Sequence, residues 1–109
     1  MAMTIHYSND LDALSDRTIE YWGASAQTDM VIEEASELIK ALCKWKRYGG
    51  VEHEGKILDE IADMYVVLNT LKRIMKVPHE DMELYIAAKV SRTNQRLDEE
   101  DDVIEDMHY

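Results

Sequence analysis

The chain has 109 residues, 46% of them hydrophobic, enough for one packed domain and no more. A formal net charge of −11, from 12 basic and 23 acidic side chains, repels phosphate backbones and argues against a nucleic-acid polymer as partner. The single cysteine, Cys43, excludes an internal disulfide framework and suggests a reducing compartment. No apolar run approaches the roughly 18 residues of a membrane span. His6, Asn9, Asp10 and Asp12 stand where a signal peptide needs a basic flank and an apolar run, so a cytoplasmic location is expected.

Residues 1–8 show no clear period and form an N-terminal segment. Leu11, Leu14, Thr18 and Trp22, with Ile19 and Tyr21, predict an amphipathic helix over about 9–23 that ends at Gly23. Thr28 is the expected N-cap of a second helix, about 29–48, closed by Gly49-Gly50. A short polar loop containing His53 follows. A third helix over about 55–76 stops before Val77-Pro78, because proline disfavours helical geometry in its predecessor. Pro78 then opens a fourth helix, with Glu80 and Asp81 suiting the dipole of its first turn, that runs to about 96. Seven acids fall in the last twelve residues, leaving −4 on the rest of the chain (−11 minus −7). Residues 98–109 therefore read as a solvated or disordered acidic tail behind a helical domain of residues 9–97. The fold class is all-α, a four-helix bundle.

The second and third helices carry more apolar surface than one chain can cover. Beside the stripe Val31, Ala35, Leu38, Leu42 and Trp45, the second helix places Ile32, Ile39 and Cys43 on a far shoulder. The third adds Leu58, Ala62, Tyr65 and Val66 to Ile57, Ile61, Met64, Leu68 and Leu71. A helix facing one core needs an apolar stripe of about 100°, and these arcs are roughly twice that. A homo-oligomer centred on these helices is expected.

Acids recur inside those arcs. Glu33, Glu34 and Glu37 are echoed at the same spacing by Asp59, Glu60 and Asp63. At about 100° per residue, Glu34 falls within the apolar arc, between Ala41 and Trp45, and Glu60 falls between Val67 and Leu71. Glu37 and Asp63 lie about 60° further round, at the arc edge. A buried carboxylate without a counter-charge is costly, so four acids converging on a core call for a cation. An all-oxygen donor set suits Mg²⁺, or Mn²⁺, better than Zn²⁺. The bland alternative is four surface acids; their register within two apolar arcs argues against it. A ferritin-like di-iron site needs Glu-x-x-His on two helices, and the only such spacing is Glu105 to His108 at the C-terminus.

On the fourth helix Lys89, Arg92 and Arg96 form one basic stripe, suited to polyphosphate oxygens or to acids of neighbouring helices. Trp22, Gln27, Trp45 and Tyr48 are candidates to stack on or hydrogen-bond a nucleobase, although aromatics at helical spacing are more often core. Ser36 and Thr70 have no His-Asp partnership in sequence, and no glycine-rich phosphate loop is present.

Glu34-x-x-Glu37, a spacer of 22 residues, then Glu60-x-x-Asp63 resembles the metal-binding signature of the MazG-like all-α nucleoside triphosphate pyrophosphohydrolases. The wording Val31–Leu38 and Leu58–Met64 is similar to that family, as are Trp22-Gly23 and Gln27 upstream. Lys89, Arg92, Asn94 and Arg96 resemble the basic end of its last helix, with Asn94 displaced by one residue from the commoner register. The resemblance spans about residues 10–96.

It implies Mg²⁺-dependent hydrolysis of a (deoxy)nucleoside triphosphate to the monophosphate and pyrophosphate, a house-cleaning reaction on the nucleotide pool. Glu34, Glu37, Glu60 and Asp63 would hold the metal, and Glu37, reachable by water at the arc edge, would be the general base. Gln27, Lys89, Arg92 and Asn94 would bind the nucleotide, Lys89 and Arg92 balancing charge on the leaving pyrophosphate. A homodimer or homotetramer is implied. Two other readings stand beside this one: a non-catalytic helical module binding a structural cation or a basic partner, and a phosphoribosyl-ATP pyrophosphohydrolase on the same fold.

Overall fold

The computed structural model describes residues 7–107, with side chains over 9–104; the N-terminal residues 1–6, and His108 with the Glu105–His108 spacing, lie outside the described residues. Those described form four helices and no strand: α1 (Tyr7–Trp22), α2 (Ala24–Tyr48), α3 (Val51–Ile74) and α4 (His79–Met107). None of them is long and apolar enough to cross a membrane. The chain divides into two compact units, one up to Lys76 and one from Val77 onward.

In the first unit α2 packs most extensively on α3, and α1 packs on α3 more than on α2. The α2–α3 pair is an antiparallel hairpin turned by Gly49 and Gly50, whose φ values of 62° and 93° lie where a Cβ is disfavoured. Gly49 caps α2 by donating its backbone N–H to the Trp45 carbonyl. Tyr48 and His53 stack across this turn with ring centroids 5.9 Å apart.

Four boundaries differ from the sequence expectation. α2 begins at Ala24, directly after Gly23 at φ 93°, so Thr28 lies inside the helix and donates Oγ1 to the Ala24 carbonyl instead of capping. α3 begins at Val51, so His53 is helical and not in a loop. Its first turn lacks apolar periodicity, and Gly55 in a helix interior costs about 0.5–1 kcal/mol relative to alanine, yet Glu52 and Glu54 favour the N-terminal dipole there. α1 starts at Tyr7, within the stretch that shows no period. The acidic segment from Asp98 to Met107 is helical, continuing α4 beyond residue 96, and its side chains over 98–104 are exposed.

Between α3 and α4, Lys76 takes a left-handed conformation at φ 57° and donates its N–H to the Arg73 carbonyl, turning the chain ahead of Val77-Pro78.

The interior of the first unit is unusually polar. Ala41 is the one fully buried hydrophobic residue described, beside buried Ser15, Gln27, Glu60, Asn69 and Thr70. Three of these join α1 to α3. Asn69 Nδ2 donates to Ser15 Oγ and to Asp12 Oδ1, both at 3.0 Å, and Thr70 Oγ1 donates to Ser15 Oγ at 3.0 Å. Arg73 continues the seam, its Nε 2.8 Å from Asp16 Oδ1 and its Nη2 on Asp16 Oδ2, a two-point grip that fixes the register of α1 on α3.

Candidate metal centre and adjoining cavity

The hairpin brings together three of the four expected acids. One carboxylate oxygen from each of Glu34, Glu60 and Asp63 lies within 4.8 Å of the others. Glu34 comes from α2, and Glu60 and Asp63 come from successive turns of α3, the i, i+3 arrangement that lets one helix present two carboxylates to one point. Glu37 lies one turn beyond Glu34, half-buried and outside this group of three. Glu33 and Asp59 are exposed and outside this group.

Glu60 is the centre of the arrangement. It is 3% exposed, its Oε1 pairs with Lys56 Nζ at 2.8 Å, and its Oε2 is buried with no hydrogen-bond partner. An orphaned buried carboxylate oxygen is expensive to maintain, and here two further carboxylates stand beside it. Burial pushes the Glu34 carboxyl above its ordinary value, and the charges of Asp63, Glu60, Glu33 and Glu37 push it the same way. Repulsion, burial and an unmet acceptor converge on one point. An all-oxygen set of this kind fits a hard divalent cation.

A cavity of about 410 Å³ opens on the same unit, lined by Thr18 and Trp22 of α1, Ala26, Gln27 and Met30 of α2, and Val67 of α3. That volume lies within the range of small-molecule sites. Trp22 is largely exposed and packs edge-on against Tyr21, centroids 5.0 Å apart, so a ring face remains available. Gln27 is buried on the cavity wall. Gln27 precedes Glu34 by seven residues and Val67 follows Glu60 by seven. Because the helices are antiparallel, the cavity and the acids lie about 10 Å apart along the hairpin axis.

Of the other aromatic candidates, Trp45 and Tyr48 are absent from the cavity wall. Lys89, Arg92 and Asn94 are exposed on α4, in the second unit. Lys89 and Arg92 share a face of that helix, whereas Asn94 falls about 140° from Lys89 and off the stripe. Sequence reasoning passed over Lys56, although its i, i+4 spacing to Glu60 was a usable signal, and over Thr18, Met30 and Val67, whose convergence is a property of three helices together. Comparison with protein-family models, with curated proteins and with solved structures finds no match for this chain.

Proposed function

We propose that this chain is a Mg²⁺-dependent pyrophosphohydrolase of the MazG-like type, converting a (deoxy)nucleoside triphosphate to the monophosphate and pyrophosphate. The observation that carries the reading is the buried, unpartnered Oε2 of Glu60 inside a group of three carboxylates. A cavity walled by α1, α2 and α3, about 10 Å along the hairpin axis from the acids, suits a ligand with a flat apolar end and a polyanionic end.

Glu34, Glu60 and Asp63 would hold the metal, with Mn²⁺ as a substitute. When bound it supplies the positive charge that phosphate oxygens need beside carboxylates, and Lewis-acid polarisation of the bond to be broken. The remaining work belongs to the protein. Trp22 offers a face for a base, and the Gln27 amide offers a donor and an acceptor to its edge. Glu37, half-buried one turn from Glu34, takes the proton of the attacking water on its carboxylate. Lys89 and Arg92 are the cations that the resemblance assigns to the leaving pyrophosphate.

The same reading makes the functional protein a homodimer or homotetramer in the cytoplasm. Ile39 on α2 and Tyr65 on α3 are 62% and 70% exposed, and Ile32 and Leu58 lie one heptad before each, so two apolar shoulders stand uncovered in the single chain. A second copy covers such faces by symmetry.

Glu60→Ala tests the assignment. Pyrophosphate release should fall at least a hundredfold while the helical circular dichroism signal is kept, because a buried repulsive charge is removed rather than a packing group. Undiminished release by the folded variant would refute the metal-site reading.

A further inference from the structure

We infer that Lys56 is a tethered counter-ion: its ammonium holds the Glu60 carboxylate in the ion-free chain and gives up that place when a divalent cation enters. The inference rests on the metal-site reading above. Lys56 Nζ lies 2.8 Å from Glu60 Oε1, and the two side chains differ sharply in environment, 60% exposed for the lysine against 4% for the glutamate. The lysine therefore reaches in from solvent along the helix surface, one turn before Glu60, on a stem that rotates away without disturbing any packed side chain.

What the ammonium leaves undone is equally specific. It touches one oxygen of one carboxylate. Glu60 Oε2 stays without a partner, and no ion pair is formed by Glu34 or Asp63 among the described residues. One positive charge stands against three carboxylates whose oxygens converge within 4.8 Å. The ammonium therefore leaves two of the three carboxylates, and one oxygen of the third, without a counter-charge. A compact cation can also approach all three oxygens together, whereas an ammonium tied to α3 at the i−4 position stays on one side.

Two consequences follow for a cation arriving at the site. It must displace an existing charge-assisted contact, so affinity is lower than three converging carboxylates would otherwise confer. Once displaced, the ammonium returns to solvent, where most of the lysine side chain already lies. Lys56 is in this sense a positioning residue: it acts through Glu60, and its effect is read in metal affinity before any turnover is measured.

The experiment is isothermal titration of Mn²⁺ alone, without nucleotide, into the full chain and into Lys56→Met, Lys56→Gln, Glu60→Gln and Lys44→Met. Lys44→Met removes an equal charge from an exposed position on α2 and controls for overall electrostatics. Both Lys56 variants should bind Mn²⁺ about three- to tenfold more tightly than the wild type, the change expected from losing one competing charged contact. Lys44→Met should leave the affinity unchanged, and Glu60→Gln should abolish binding. Unchanged or weaker binding by both Lys56 variants would overturn the inference and leave the metal site standing, as would an equal gain in Lys44→Met. No Mn²⁺ binding by the wild-type chain would overturn the metal site and the inference together.

Discussion

Glu34 and Glu60 face each other across the α2–α3 hairpin with carboxylate oxygens within 4.8 Å, and Glu60 keeps one of its two oxygens buried and unpartnered. Two like charges held this close weaken the fold that holds them. On the metal-site reading the cluster is kept at a cost in stability, and that opposition is measurable.

Glu34→Gln should raise the thermal midpoint of the chain in EDTA at neutral pH. The Glu34 carboxyl titrates above its ordinary 4.5 in the folded protein, chiefly because it is desolvated. The folded chain therefore holds that proton more tightly than the unfolded chain does, and the wild type loses stability relative to the variant as pH rises from about 4.5 through the raised value. Below that interval the two midpoints should converge. Mg²⁺ should reverse the order at neutral pH by stabilising the wild type alone. A lower midpoint for the variant in EDTA would show that the charge is not strained.

The Arg73–Asp16 pair predicts the opposite dependence. The Arg73 guanidinium, hydrogen-bonded to Asp16, holds that carboxyl below its ordinary 3.8. A carboxyl with a depressed folded value stabilises the protein above the unfolded value and loses that contribution as pH falls through the folded one. Asp16→Asn should therefore be less stable than the wild type at pH 6, by a modest amount because the pair is solvent-exposed, and the gap should close below about pH 3.8. A difference that persists unchanged into acid would assign the effect to packing of α1 instead.

Much of this site is legible in the sequence because its parts are periodic. Glu34 and Glu60 fall inside apolar arcs, and helical geometry alone brings Asp63 beside Glu60. The order and number of helices follow from the same periodicity, punctuated by Gly23, Gly49-Gly50 and Pro78. Boundaries fail where local chemistry departs from periodicity. Thr28 resembles a cap, but the chain turn at Gly23 has already begun the helix. The acids after Leu97 read as a solvated or disordered tail, and the helix runs through them to Met107. The Ser15–Asn69–Thr70 seam could not be anticipated, because polar residues on a helix read as surface until a neighbouring helix supplies their partners. The position of Glu37 outside the group of three is also a matter of side-chain direction rather than spacing.

On the pyrophosphohydrolase reading, Trp22 and Gln27 do distinct work at the cavity wall. Trp22→Ala should raise KM for a nucleoside triphosphate by about tenfold or more, as expected from losing one base–aromatic stack of about 1–3 kcal/mol. Affinity for inorganic tripolyphosphate, which has no base, should stay the same. Gln27→Ala should blur discrimination between bases while Mn²⁺ affinity is preserved. Parallel losses for tripolyphosphate would mean that the cavity supports the fold and does not read a base.

The apolar shoulders predict an assembly. In sedimentation equilibrium the wild-type chain should run as a dimer or tetramer, and Ile39→Glu with Leu58→Glu should shift it towards monomer with loss of thermal stability. A wild-type chain that is monomeric at tens of micromolar would contradict the assembly.

The most direct measurement is pyrophosphate release from a panel of ribo- and deoxyribonucleoside triphosphates, run with Mg²⁺ and with EDTA. The expected result is release confined to one or a few bases, abolished by EDTA and by Glu60→Ala. Mg²⁺-replete, folded, oligomeric protein that releases pyrophosphate from none of the panel would contradict the proposed activity.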